Sequence, residues 1–108
     1  MATVQWNGQQ AKIEAFRKRL EQEQRAEYSR RYPDNLLEPI HAVVSYGRVW
    51  ARVDVCSSGG QSGKYLVSPD GEIFGIKGYG VPHHGHRYGT TDTIDDWHWG
   101  GYTASREP

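Results

Sequence analysis

The stretch Lys64-Tyr65-Leu66-Val67-Ser68-Pro69-Asp70-Gly71-Glu72-Ile73-Phe74-Gly75-Ile76 decides the fold. Two apolar runs flank Ser68-Pro69-Asp70-Gly71, where Pro69 presets φ and Gly71 tolerates φ > 0, so the runs are predicted to pair as a β-hairpin. Just upstream, Arg48-Val49-Trp50-Ala51-Arg52-Val53-Asp54-Val55 alternates with a period of two. Val49, Ala51, Val53 and Val55 point one way and Arg48, Trp50, Arg52 and Asp54 the other, which is the pattern of a half-buried antiparallel strand. The connections are too short for the crossovers that parallel strands need. Between these elements, Ser57-Ser58-Gly59-Gly60-Gln61-Ser62-Gly63 has no apolar anchor and reads as a flexible connection.

Working towards the N-terminus, residues 9–32 are nearly all helix formers, with Ile13, Phe16 and Leu20 at i, i+3 and i+7. Asn7 with Gln10 forms an Asn/Gln variant of the capping box, and Pro33 drives Tyr32 out of helical dihedrals. Beyond Leu20 the stripe thins to Ala26, Tyr28 and Tyr32, so this half either projects into solvent or docks on a partner. Glu23, Glu27, Arg30 and Arg31 there read as a solvated face. The expected architecture is α+β: an N-terminal amphipathic helix packed on a small antiparallel sheet of three or four strands. One domain spans 1–108, with the helix at 9–32, strands at 40–77, a Gly/His-rich functional loop at 77–91 and a frayed tail at 104–108. Thr93 to Trp97 reads as a short helix or strand, and Trp97, Trp99 and Tyr102 as closing the core.

Composition bounds the function. With 108 residues and a mean hydropathy of −0.80, the chain can form one lean core in which aromatics carry much of the burial. No run approaches the roughly 20 apolar residues of a membrane span, and Met1-Ala2-Thr3-Val4-Gln5-Trp6 lacks the pattern of a secretory signal, which points to the cytoplasm. The single Cys56 excludes an intrachain disulfide and a CxxC zinc site, and at the end of an alternating strand it reads as a small hydrophobe. The 13 bases and 13 acids cancel, but residues 1–32 carry seven bases against four acids, and residues 92–108 carry Asp92, Asp95, Asp96 and Glu107 against Arg106. A net charge of zero argues against a nucleic-acid binder, whose affinity comes from neutralising phosphates.

The sharpest chemistry lies in residues 77–91. Lys77, His83, His84, His86 and Arg87 are donors to an anion, and Gly78 and the other glycines let backbone N–H groups approach a ligand, as in a phosphate cradle. Tyr79, Tyr88 and Trp97 offer faces on which a base can stack. This ligand-binding set competes with a plain Gly-rich surface loop holding incidental histidines. A metal reading would use His83, His84 and His86, of which His84 and His86 share a face, with Asp92, Asp95 or Asp96, but the spacing matches no zinc signature, and no metal or other cofactor is expected. A catalytic reading would make a loop histidine the base of a phosphoesterase; nothing fixes a nucleophile, so no catalytic residue is assigned. His41 and His98 read as structural. Trp50 with Arg48 and Arg52 is either a contact patch or a surface covered by the helix.

The hairpin followed by Lys77-Gly78-Tyr79-Gly80-Val81-Pro82-His83 and Arg87-Tyr88-Gly89 resembles a set of small tailed-bacteriophage proteins. These carry a Gly-Asp/Glu-Ile-Tyr hairpin, then Lys, an aromatic, Pro and a basic-Gly element. Phe74 stands here for the Tyr and Val67-Ser68 for a Val-Asp, and the likeness covers about residues 42–90, leaving the helix unmatched. The resemblance implies a viral accessory protein of the host bacterial cytoplasm that acts by stoichiometric binding. Its partner would be a nucleotide-like immune signal that it sequesters, or a host defence protein that it blocks in the manner of an anti-CRISPR. The sparse core and long helix also point to a homo-oligomer.

Overall fold

The computed structural model describes residues 9–33, 40–47, 49–57, 60–78, 81–100 and 104–106, with the backbone alone at 60–63, 77, 78, 83 and 84. A single helix, α1 (Gln9–Arg31), is followed by five antiparallel strands: β1 (His41–Tyr46), β2 (Ala51–Ser57), β3 (Gly60–Val67), β4 (Glu72–Gly78) and β5 (Val81–Thr90). They pair in sequence order. A 3₁₀ turn at Ile94–Asp96 leads into β6 (Trp97–His98), which pairs with β7 (Ser105–Arg106). Helix on antiparallel sheet is the expected α+β arrangement, but the sheet has five strands rather than three or four.

The extra strands come from segments without an apolar pattern. Ser57 pairs with Gly60 and Gln61 with Cys56, so the Gly/Ser stretch read as a flexible connection belongs to the β2–β3 hairpin. Residues 81–90, expected inside a long loop, form β5 along β4. In both, backbone hydrogen bonding holds residues that have no side-chain periodicity to advertise it. The tail is corrected as well: Ala104 is buried, and Ser105 and Arg106 pair with His98 and Trp97.

Ile13, Phe16 and Leu20 of α1 are completely buried against Ala42, Ala51, Val53, Tyr65, Val67, Ile73, Tyr88 and Trp99. Burying each of these large helix residues is worth about 1.5–3 kcal/mol, which fixes the helix on the sheet far more strongly than its propensity would. Trp99 is the hub: its ring lies edge-on to Phe16 at 4.6 Å, to Tyr65 at 5.3 Å and to Tyr88 at 6.5 Å. Aromatic packing of this kind supplies the core that the low hydropathy left open.

The expected turn is present. Gly71 sits at φ +91, its N–H donates to the Ser68 carbonyl at 2.9 Å, and Ser68 Oγ accepts from the Glu72 N–H at 3.1 Å. A Cβ on Gly71 would lie 2.7 Å from Thr91 Oγ1 and 2.9 Å from Gln9 Oε1. Gly71→Ala is therefore expected to cost more than about 1 kcal/mol, read as a lower midpoint in urea, because dihedral strain and a clash act together.

Both edges of the sheet are guarded. Along β1, the Ala42 N–H donates to Glu21 Oε1 at 2.9 Å, the Ala42 carbonyl accepts from Arg17 at 3.1 Å, and the Ile40 carbonyl accepts from Arg25 at 2.5 Å. Side chains of α1 thus do the work of a neighbouring strand. On β5, Phe74 pairs with Arg87 and the next β4 residue, Gly75, with His83, so residues 84–86 face no β4 partner. A bulge of this size interrupts the flat edge on which another strand would add.

Candidate functional site

Of the ligand set expected from the sequence, side chains are described only at His86, Arg87, Tyr88 and Trp97, and these four do not all share one face of the sheet. Tyr79 lies outside the described residues, and Lys77, Gly78, His83 and His84 are placed by backbone only, in β4 and β5. His86 and Arg87 are exposed. As neighbours on a strand they address opposite faces: His86 lies toward Tyr88, 6.4 Å between rings, and Arg87 pairs with Glu72 at 3.7 Å. Tyr88, expected to stack on a base, is only 9% exposed. Its ring meets Tyr65 and Trp97, each at 5.6 Å, and covers Gly75, where a Cβ would sit 3.3 Å from the Tyr88 ring. Trp97 is half-buried beside it. These two aromatics serve the core because the bare Gly75 leaves room for a ring to lie against the sheet.

A concave site lies elsewhere, where the second half of α1 passes over β3. It encloses about 240 Å³ and is lined by Gln24, Glu27, Tyr28, Arg31, Tyr32, Ile40, Lys64 and Gly100. The helix half that the sequence left unassigned is pinned there by the chain around Trp99: Gln24 donates to the Trp99 carbonyl at 2.7 Å, and the Trp99 N–H donates to Glu23 Oε1 at 2.7 Å. Tyr28 and Tyr32, one helical turn apart, stack as a tilted pair with ring centroids 4.9 Å apart. Proline ends the helix as expected, while the Tyr32 N–H still reaches the Tyr28 carbonyl at 2.8 Å.

Lys64 owes its place to an irregularity in the sheet. Val53 pairs with Tyr65 and Asp54 with Gly63, so Lys64 is the one extra residue of a β-bulge. Tyr65 and Val67 face the helix, and regular alternation would send Lys64 to the opposite face. The bulge re-aims it, and Lys64 lines the pocket under α1. Burial lowers its pKa, the expected response of an ammonium drawn from water. At the rim, hydrogen bonds from Arg30 and then Arg31 hold the Glu27 carboxyl below the usual range, with Arg30 Nη2 at 2.5 Å and Arg31 Nε at 3.0 Å.

The opposite face of the sheet carries a second concavity. The pairings Arg52–Leu66, Leu66–Phe74 and Phe74–Arg87 form one cross-strand row. Trp50 stands edge-on to Phe74 at 5.6 Å, so the helix does not cover it. Beside it a groove of about 410 Å³ is lined by Ser45, Tyr46, Gly47, Val49, Trp50, Arg52 and Leu66. Arg52 is oriented through Nε by Asp54, at 3.1 Å, whose side chain is 2% exposed.

Among the described residues, no group of three or more His, Cys, Asp or Glu is placed to hold a metal ion. No helix among them is long and apolar enough to cross a membrane. Burial raises the pKa of two core phenols, that of Tyr65 well above the ordinary value and that of Tyr88 beside it. The unfolded phenol ionises first, so stability is full below about pH 10 and falls as pH rises beyond it. Tyr65→Phe is expected to flatten the alkaline limb of a Tm-against-pH curve. An unchanged limb would assign it to other groups.

Comparison of the chain with protein-family models, with curated proteins and with solved structures finds no match.

Proposed function

We propose that the chain is a stoichiometric binding protein that captures a phosphate-bearing small molecule, such as a nucleotide immune signal, and holds it unchanged. The observation that supports this is the bulge that turns Lys64 under α1, beside the Tyr28–Tyr32 pair and Arg31. Lys64 and Arg31 would meet the phosphate, and the tyrosine pair would take the base. Binding of this kind needs donors and a stacking face, with no tuned acid, base or nucleophile. This reading keeps the stoichiometric binding that the phage resemblance implies, and it moves the ligand from the β4–β5 hairpin to the helix–sheet pocket.

A thermal-shift screen against linear and cyclic nucleotides tests it. At a ligand concentration a hundredfold above Kd, the folded state gains about 2.7 kcal/mol, roughly ten degrees or more in Tm for a domain of this size. The bound nucleotide is expected back intact after denaturation. Recovery of a hydrolysed product would overturn the reading in favour of a phosphoesterase.

A second reading, a blocker of a host defence protein, is favoured by one feature. At the β1–β2 turn Val49 is 55% and Tyr46 42% exposed next to the half-buried Trp50, an apolar tip of the sort that anchors protein contacts. If the tip is the working surface, Val49→Asp abolishes co-purification with a host protein and leaves nucleotide shifts unaltered.

A further inference from the structure

We infer that the helix–sheet pocket is also an amine site, at which Lys64 forms a reversible imine with an aromatic aldehyde that carries a phosphate. The inference rests on the pocket being the ligand site proposed above, and adds the chemistry that its lysine brings. Four features of the pocket support it.

The bulge places Lys64 on the pocket lining at a position that alternation would have given to the other face. The Tyr28–Tyr32 pair supplies a wall against which a planar ring lies flat, and Ile40 extends the apolar side. Among the described lining residues the one carboxylate, Glu27, is engaged by Arg30 and Arg31, and Arg31 also lines the pocket, where a phosphate oxygen can meet it. Burial disfavours the ammonium form of Lys64, and the neutral amine is the form that attacks a carbonyl.

In the step itself the Nζ lone pair adds to the aldehyde carbon. The carbonyl oxygen leaves as water with the two protons that the neutral amine nitrogen gives up, and a C=N bond remains between Nζ and the former aldehyde carbon. No oxidant or reductant is needed, and water reverses the reaction.

The probe is pyridoxal 5′-phosphate, trapped on the full chain with borohydride and located by peptide mass mapping. Four lysines compete: Lys12, Lys18, Lys64 and Lys77. At neutral pH and limiting probe, Lys64 is expected to carry about tenfold more label than Lys12 or Lys18, both on the exposed face of α1. Phenyl phosphate in excess is expected to protect Lys64 alone, and Lys64→Met to remove the dominant labelled peptide. Label spread evenly over the lysines would overturn the inference. The two readings separate in a parallel titration: phenyl phosphate that shifts the Tyr28 and Tyr32 amide signals while Lys64 stays unlabelled refutes the imine and leaves the pocket standing. Neither shift nor label refutes both.

Discussion

Lys64→Met is expected to weaken binding of the phosphate-bearing ligand roughly 10- to 100-fold, the loss of a charge-assisted contact worth about 1.5–3 kcal/mol. Methionine keeps an unbranched apolar stem of similar length, so the half-buried side chain is replaced in volume and only the charge goes. Lys64 is the extra residue of its bulge, so the substitution leaves the β2–β3 register intact. Removal of a cation that burial destabilises is expected to leave Tm equal to or slightly above that of the parent chain. The pair of readouts matters: titration calorimetry reports the lost affinity, and a thermal melt shows that the fold is unaffected. Arg87→Ala serves as the comparison, because Arg87 is on the far face with Glu72 and is expected to leave affinity unchanged.

The largest effect on stability is expected from Trp99→Ala. Trp99 is fully buried and touches the rings of Phe16, Tyr65, Tyr88 and Trp97. Its indole N–H donates to the Ile94 carbonyl at 2.9 Å. Truncation removes the ring, opens a cavity between helix and sheet, and leaves that carbonyl without its donor, at a cost of about 3–5 kcal/mol. For a domain whose whole stability is about 5–15 kcal/mol, this lowers Tm by roughly 15 °C or more. Equilibrium urea unfolding checks it. A loss under about 1 kcal/mol would mean that Trp99 is not the hub of the core. Because the backbone around Trp99 also pins Gln24 and Glu23 of α1, the same variant is expected to loosen the pocket and lose ligand.

The elements that were legible in the sequence are those with a local physical signature. Ile13, Phe16 and Leu20 mark the buried stripe of α1, and Pro69 with Gly71 marks the turn between β3 and β4. What escaped was set by pairing. β5 has glycines and histidines where a strand normally alternates, and only the β4 backbone beside it makes it a strand. The β2–β3 hairpin through Gly60 is invisible for the same reason. The site divides along the same line. Tyr28 and Tyr32 stood out as the remnant of the helix stripe past Leu20, and their i,i+4 spacing was a usable signal. Lys64 gave none, since a bulge arises from the offset between two strands and leaves no mark on either one alone. Tyr88 and Trp97, chosen as stacking faces, fill the space over Gly75 and Gly89, and that fit is a property of the folded sheet.

The central claim is that the ligand sits between α1 and β3 under Lys64. A ¹H–¹⁵N spectrum of the chain titrated with the nucleotide that gives the strongest thermal shift tests it most directly. The expected result is that amide signals of Tyr28, Tyr32, Lys64 and Gly100 move in saturable fashion and that these movements vanish in Lys64→Met. Movements confined to Gly85, His86 and Arg87 would contradict it and return the ligand to the β4–β5 hairpin.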